Sequence, residues 1–442
     1  MPTPKTRTQA QKPRPAPDDK APSDAALRSA PRVLIITQNA PVPRDRRVWN
    51  ELGALRDAGY EPVAICPKGD GPDAARFERR EGIDIFRYAQ PPASGSSLSY
   101  MREYAVAFWR IRRLARTIAG ERGFDVVQAS NPPDFLLMSV RFLKRRGASL
   151  IFDHHDLAPE LYLARFGGDG GLFYRLSRLL ERVNFAISDL VLATNESYKR
   201  VAVARGRMRP EDVFVVRSGP ELARFGPVAP DPDLKRGRSA LISFIGEMAP
   251  QDGVDHALHA LAHLLQRRDD WHAIFAGDGP ACAGLRVLAT SLGLDDHVEF
   301  TGWLDDPELK RVLSTSDVCI APDPKTPLSD ASTLVKIAEY MAMSRPIVSY
   351  DLTESRVTAA DAALYARPND PQAFADAIAV LLDDPDRRAL MGRIGRERVE
   401  RALSWENSSK TLLAAYQVAI SREHATSGHR WRAAKRSGRL AT

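Results

Sequence analysis

Three cysteines in 442 residues, Cys66, Cys282 and Cys319, are too few and too far apart for a disulfide framework or a metal-ligand spacing. No apolar run approaches the roughly 18 residues needed to cross a bilayer, and the polar N-terminus lacks the apolar stretch of a secretory leader. A cytoplasmic protein with reduced thiols is expected. Aromatic residues are 7% and charged residues 27% of an otherwise ordinary composition, which excludes collagen-like, coiled-coil and wholly disordered chains. At roughly 100–200 residues per domain, the length predicts two or three domains.

The net charge of +7 is unevenly spread. Residues 1–31 carry +3 and residues 422–442 carry +5; both are rich in Pro, Ala, Ser, Arg and Lys and read as disordered basic tails. Between them, residues 32–225 sum to +8 and residues 226–421 to −9. A basic chain invites a nucleic-acid reading. With no zinc finger or RNA-binding fingerprint, and with much of the charge in the tails, solvation is the simpler account, and no nucleic-acid partner is expected.

Short apolar runs alternate with helical patterning from Pro31 onward. Val33–Ile36, Pro62–Cys66, Ile83–Phe86, Asp125–Gln128, Leu150–Asp153, Leu190–Ala193 and Val213–Val216 read as buried strands. Helices are expected at Arg47–Ala58, Tyr100–Ile118, Pro133–Lys144, Leu172–Ala186 and Ser197–Arg205. The Pro-rich stretch Gly226–Pro232 marks a boundary, after which the pattern restarts at Leu241–Ile245, Ala273–Ala276, Val298–Thr301, Val318–Ala321 and Pro346–Tyr350. This is an α/β chain of two doubly wound, Rossmann-like domains, 32–225 and 226–404. A last helix at 405–421 is expected to cross back to the first domain. Such sheets bind ligands at the carboxyl ends of their strands, so the cleft between the domains is the expected site.

Two turns carry the geometry of an anion cradle. Phe244–Asp255 is a strand, a glycine-bearing turn and a helix, and Phe275–Pro280 repeats it; either could simply close a βα unit. In Ser329–Ala342, Ser332 or Thr333 can cap a helix on which Lys336 and Glu339 share a face, as a solvated ion pair or as ligand groups. His155, in His154-His155-Asp156 at a strand end, suits a structural hydrogen bond as well as a site role.

From about Pro31 to Tyr416 the chain resembles the GT-B glycosyltransferases of family 4, the large retaining group, and within it bacterial enzymes that build surface polysaccharides. The resemblance rests on Pro43–Val48, Asp153–Glu160, Val215–Pro220, Gly246–Asp255, Phe275–Pro280, Phe300–Trp303, and Lys336–Ala342 followed by Arg345–Val348, in that order. It implies a nucleotide-sugar donor in the second domain and a saccharide or polyprenyl-diphosphate-linked acceptor in the first. Glu339 matches the glutamate that holds the ribose hydroxyls, a task suited to a carboxylate. The helix start Ser332, Thr333 and Leu334 would offer N–H groups to the diphosphate. Gly246, Gln251, Asp252 and Gly279 complete the implied donor set, and His155 would face the reacting sugar.

The chain departs from the family pattern in three places. Ala331 stands where the first of two acidic residues is usual, with Asp330 beside it as substitute. Glu247 and Asp252 occupy the turn where an Arg and a Lys commonly neutralise the diphosphate, and Gln38-Asn39-Ala40-Pro41 replaces a glycine-pair loop. No metal or other cofactor is expected, so the leaving group needs protein cations. Lys336 is the first candidate, with Arg46, Arg47 and Arg217 reaching in from the first domain on closure. Asp323 and Asp330 keep a metal alternative open, and Arg217 equally suits a hinge support. His155 is expected to position the sugar while the departing phosphate acts as base.

The helix Tyr100–Ile118 places Tyr104, Phe108, Ile111, Ala115 and Ile118 on one stripe with arginines around them and Trp109 beside it. It is either a domain helix burying its stripe or a surface for anionic lipid, with Lys144-Arg145-Arg146 and the Gly167–Gly171 loop nearby. The expected protein is a retaining, metal-independent hexosyltransferase of cell-surface polysaccharide synthesis, cytoplasmic and peripheral on the inner face of the plasma membrane. A catalytically silent nucleotide-sugar-binding scaffold and a sugar-nucleotide epimerase of the same fold are the alternatives.

Overall fold

The structure is a computed structural model that describes residues 30–90, 97–120, 122–166 and 171–436. Residues 1–29 of the tail expected at 1–31, and most of the Gly167–Gly171 loop, lie outside the described residues.

The N-terminal sheet contains β1 (Arg32–Ile36), β2 (Glu61–Pro67), β3 (Phe77–Arg80), β4 (Ile83–Tyr88), β5 (Val126–Ser130), β6 (Ser149–His154), β7 (Leu190–Ala193) and β8 (Val213–Val215). Their order is β3-β4-β2-β1-β5-β6-β7-β8, and every pair is parallel except β3–β4. The second sheet, β9 (Ala240–Ile245), β10 (Trp271–Ala276), β11 (Val298–Gly302), β12 (Val318–Ala321), β13 (Ile347–Tyr350) and β14 (Ala363–Ala366), is all parallel in the order β11-β10-β9-β12-β13-β14. Strand order reverses at β1 in the first sheet and at β9 in the second, so each domain has a crevice at those strand ends.

Each sheet is buried on both faces, which is why its strands read as unbroken apolar runs rather than alternating ones. Leu34 and Ile36 face one apolar cluster while Val33 and Ile35 face another, and all four are fully buried. Ile242 and Phe244 oppose Leu241 and Ile245 in the same way across the second sheet. At about 1.5–3 kcal/mol per fully buried aliphatic side chain, these central strands anchor their domains.

Two strands lie outside the sequence expectation. The edge strand β3, Phe-Glu-Arg-Arg, is almost wholly polar and pairs on one side only, so it carries no apolar run. The strand β14, Ala-Leu-Tyr-Ala, has no β-branched residue, unlike the equally short β7, β12 and β13. The helix expected at Pro133–Lys144 is Leu136–Val140 followed by a tighter 3-10 segment, Arg141–Arg146, which ends at Gly147 with φ 106°. On the helix Ser97–Ala119 the fully buried residues are Ala107, Ile111, Ala115 and Ala119, one step round from the expected stripe; Tyr104 and Phe108 instead line a cavity.

The final helix is Trp405–Arg436, so its backbone continues past the expected end at 421 into the segment expected as a tail; its side chains beyond Arg422 and residues 437–442 lie outside the described residues. It lies on the N-terminal sheet. Leu412, Ala415, Tyr416 and Ala419 join that domain's core, Tyr416 Oη donates to Gln128 Oε1 at 2.7 Å, and Ser149 Oγ donates to the Ala419 carbonyl at 2.8 Å. The chain thus passes between the domains twice, at about 216–226 and 399–405. The passages touch: Trp405 N–H donates to the Pro220 carbonyl at 3.0 Å, and a Cβ on Gly219 would fall 2.0 Å from the Leu403 carbonyl oxygen.

Gly219→Ala is expected to lose about 1–3 kcal/mol of stability through this overlap. Gly226→Ala, in the same segment with nothing within 4 Å, should stay within about 0.5 kcal/mol of the parent. Urea denaturation of the two variants beside the parent is the check.

Candidate active site

At the carboxyl end of β6 the chain turns through His155. Asn131, just beyond β5, fixes that turn: its Oδ1 accepts the N–H groups of His155 (2.9 Å) and Asp156 (3.0 Å), while its Nδ2 donates to the Asp156 carbonyl at 2.7 Å. The His155 Nδ1 lies 3.1 Å from Asp153 Oδ2. Asp153 is fully buried, accepts from Ser130 Oγ at 2.9 Å, and receives Arg47 Nη2 at 2.7 Å and Nε at 3.2 Å. Arg47 Nη1 continues to the Val216 carbonyl (3.0 Å) and Ser218 Oγ (2.9 Å).

This stack sets the charges. Burial alone would raise the Asp153 carboxyl, but Arg47 and His155 hold it well below the usual carboxylate range. Burial pushes the His155 ring down, and the Asp153 charge and hydrogen bond more than reverse this, raising it to about 9. Glu51, buried beside Asp153, is pushed up to about 8. His155 is therefore an imidazolium at neutral pH, a donor rather than a base. The expectation that Arg47 reaches across the cleft is corrected: its guanidinium is a buried post beneath His155, and its partners satisfy it.

In the C-terminal domain the glycines permit close approach of two turns. Gly246 and Gly277 have φ of 141° and 145°, and a Cβ on Gly277 would lie 1.8 Å from the Gly246 carbonyl oxygen; one on Gly279 would lie 2.6 Å from that of Met248. Lys336, on the helix Val335–Ala342, sits beneath this turn with Nζ over the Phe244 ring. Its Nζ donates to both oxygens of Asp323 at 3.1 Å and stands 3.7 Å from Asp252. Burial raises Asp323, and lifts Asp252 to about 6. Lys336 is thus neither a partner of Glu339 nor an uncompensated cation, which corrects its place as first candidate for the diphosphate charge. Asp252 Oδ2 accepts the Ala249 N–H at 3.2 Å, and Gln251 Oε1 is buried without a hydrogen-bond partner among the described residues.

Ser332 and Thr333 do not cap that helix; Leu334 occupies the N-cap, with no side-chain bond. They meet the N-terminal domain instead. Asn195 Nδ2 donates to Thr333 Oγ1 and to the Ala331 carbonyl, each at 2.9 Å, and Tyr198 Oη lies 2.9 Å from Ser332 Oγ. Asp330 is also corrected: its carboxylate accepts the Thr353 N–H (2.8 Å) and hydroxyl (3.0 Å) and pairs with Lys325, so it does not replace the missing acid at 331.

Glu339 accepts no side-chain hydrogen bond from any described residue. Burial raises its carboxyl to about 7, eased by Arg224 and Lys336 and opposed by Asp306. Arg224 forks onto Asp306, and Arg46, with a half-exposed side chain, approaches the same carboxylate at 4.0 Å from the other domain. Arg46 is therefore at the cleft. Arg217 is not with this group: its electrostatic partners are Glu354 and Glu196, and its Nη1 is buried without a partner among the described residues. Sequence reading missed Arg224, Asp306, Asn131, Asn195 and Tyr198. None sits in a recognisable pattern; each matters through a partner distant in sequence. Among the described residues no three His, Cys, Asp or Glu side chains gather as a metal site.

Comparison with known proteins follows the two-domain division. Residues 45–219 match the model of the glycosyl transferase 4-like domain, and residues 239–384 match that of glycosyl transferases group 1. The chain is 27% identical over 321 residues to an MMP alpha-(1->4)-mannosyltransferase of Mycolicibacterium hassiacum, covering 70% of this chain and 74% of that one. It is 27% identical over 364 residues to a D-inositol 3-phosphate glycosyltransferase of Kribbella flavida, 78% and 83% of the two chains. With an alpha-D-kanosaminyltransferase of Streptomyces kanamyceticus it shares 30% identity over 153 residues, only 38% of that protein's length. In fold it is similar to sucrose-phosphate synthase of Thermosynechococcus elongatus (TM-score 0.73, 19% identity, 89% and 100% covered). It is also similar to the Anabaena protein HepE in complex with UDP (TM-score 0.67, 15% identity, 88% and 100% covered). The chain belongs to the GT-B glycosyltransferases of the family 4 type.

Proposed function

We propose that the chain moves a hexose-type sugar from a nucleoside diphosphate to a saccharide hydroxyl, with retention and without a metal ion, in the synthesis of a surface polysaccharide. The observation that carries this reading is Glu339, a buried carboxylate with no hydrogen-bond partner among the described residues, which feels the charge of Arg224 and, from the other domain, of Arg46. Ionised, it accepts hydrogen bonds from two adjacent ribose hydroxyls. The positive end of the helix Val335–Ala342, entered through Leu334, is offered to the diphosphate.

Departure of the nucleoside diphosphate leaves negative charge on its terminal phosphate. In this reading the His155 imidazolium and Arg46 stabilise it. That phosphate takes the proton of the acceptor hydroxyl as the new glycosidic bond forms on the face the leaving group vacates. His155, already protonated, holds the sugar and takes no proton. The contacts of Asn195 and Tyr198 with the Ala331–Thr333 segment favour a closed state that keeps water from the donor. The acceptor is a saccharide; a polyprenyl diphosphate on it would need cations outside the cavity described below. The exposed Arg113 and Arg116 support the inner membrane face as the setting.

Binding of UDP and GDP, measured by calorimetry with and without EDTA, is the first test. Since the HepE structure holds UDP, UDP is the expected ligand, with affinity that survives EDTA. Affinity should rise about tenfold from pH 6 to pH 8, because the Glu339 carboxyl, raised to about 7, must lose its proton to accept both hydroxyls. Glu339→Gln should weaken binding about 10- to 100-fold and abolish that slope; any slope left belongs to the nucleotide's phosphate. Equal slopes in the two proteins would remove Glu339 from the ribose.

The His155 ring should titrate near pH 9 in NMR spectra, with its signal assigned by loss in His155→Gln. Because folding raises this pKa above the ordinary value near 6.5, its stabilisation is complete below pH 6.5 and fades as pH climbs through 9. A ring titrating near 6.5 would instead leave His155 free to act as a base.

A further inference from the structure

A cavity of about 880 Å³ lies in the N-terminal domain, with Glu247 its one lining residue from the other domain. Its polar lining comes largely from the carboxyl ends of strands: Gln38 follows β1, Gln90 follows β4, Asp134 follows β5 and Asp156 follows β6. Its apolar lining comes mostly from the helices Ser97–Ala119, Ala158–Phe166 and Leu172–Ile187, through Tyr104, Phe108, Trp109, Tyr162, Phe173 and Leu176.

Two features of the lining define a ligand. The first is charge: Glu103, Asp134, Asp156 and Glu247 line the cavity, and no Lys, Arg or His does among the described residues, although the domain as a whole is basic. Glu103 accepts from Gln38 Nε2 at 2.7 Å and from Gln90 Nε2. Asp134, 3% exposed, accepts from Asn131 Nδ2 at 2.8 Å and leaves its second oxygen buried without a partner among the described residues; Gln90 Oε1 is left the same way. Buried polar atoms without partners are costly, and hydroxyl groups of a ligand would satisfy them. Burial pushes the Asp134 carboxyl up to about 8, so the negative charge belongs to Glu103, Asp156 and Glu247, and an anionic ligand would meet these with no described cation on the lining to offset them.

The second feature is continuity with the surface. Trp109, Phe173 and Leu176 line the cavity and are also exposed, by 66%, 39% and 39%. Along the helix Leu172–Ile187 the exposed Leu172 and Leu179 extend the same stripe at helical spacing. Apolar surface of this extent on the lip of a cavity marks a binding site.

We infer that the cavity takes an amphiphilic acceptor whose sugar is joined to an apolar chain with no anionic group between them. The sugar hydroxyls meet Glu103, Gln90 and Asp134, and the chain lies along Trp109, Phe173 and Leu176 toward the exposed stripe. The inference rests on the glycosyltransferase reading above and specifies its acceptor: a glycolipid rather than a sugar phosphate.

The test uses the full chain and calorimetric titration with methyl, hexyl and octyl β-glucoside below micelle-forming concentrations, and octyl β-glucuronide as the anionic match. Affinity should rise about two- to fourfold per added methylene, and the glucuronide should bind about tenfold more weakly than octyl glucoside. Trp109→Ala and Leu176→Ala, both at exposed positions where folding is not at stake, should each weaken octyl glucoside at least threefold and flatten the chain-length series. Affinity independent of chain length, glucuronide binding as tightly as glucoside, or no effect of either variant would overturn the inference. Self-association or vesicle binding that depends on Leu176, without glucoside binding, would do the same by giving the stripe to a second copy or to a bilayer. UDP and GDP titrations on the same protein separate the two readings: nucleotide binding without glucoside binding defeats this inference alone, and binding of neither defeats both.

Discussion

The ion pair between Arg47 and Asp153 holds the N-terminal half of the site in place. It joins the helix after β1 to the end of β6, and through Val216 and Ser218 it also grips the segment leaving for the second domain. A buried charge pair stabilises little by itself, since desolvation offsets most of the attraction, but removing one partner strands the other. Its contribution here is to specify a conformation and a protonation state. Asp153 stays ionised because Arg47 is fixed, and His155 stays charged because Asp153 is ionised. Three residues from two segments thereby put one positive hydrogen-bond donor at the strand end.

The C-terminal half is organised on the opposite principle. Lys336 is surrounded by Asp323 and Asp252, and Glu247 stands at the turn, so this side of the cleft offers little free positive charge. Its glycines serve the close packing of its own turns, and the carboxylate of Glu339 is left without a hydrogen-bond partner among the described residues. In the proposed reading, charge stabilisation and nucleotide recognition are thus divided between the domains, and the contacts of Asn195 and Tyr198 with Ala331, Thr333 and Ser332 make the meeting of the two specific.

The architecture was readable because parallel strands buried on both faces leave continuous apolar runs, and because helices between them fix the topology class. The site was readable in position but less so in role. Glu339 and His155 keep free functional groups, and it is the family motifs Lys336–Ala342 and Asp153–Glu160 that single them out. Lys336, Arg47 and Asp330 are singled out in the same way yet spend their charges inside the protein. Nothing local distinguishes the two cases: Arg47 meets Asp153 across 106 residues, and Asp330 meets Thr353 across 23. A charged residue's neighbours in space decide whether it serves a ligand or the fold, and those neighbours are set by strand order. Arg224 was missed for the same reason, since its use depends on Asp306, 82 residues away.

The close crossing of the two passages between domains has a geometric consequence. Two tethers that touch, with the Leu403 carbonyl where a Gly219 side chain would be, bring both crossings to one place. Two bodies joined at one place can turn about it but cannot slide past one another there. The crossing is therefore a shared pivot, and the last helix, tied to the N-terminal sheet by Tyr416, anchors one side of it.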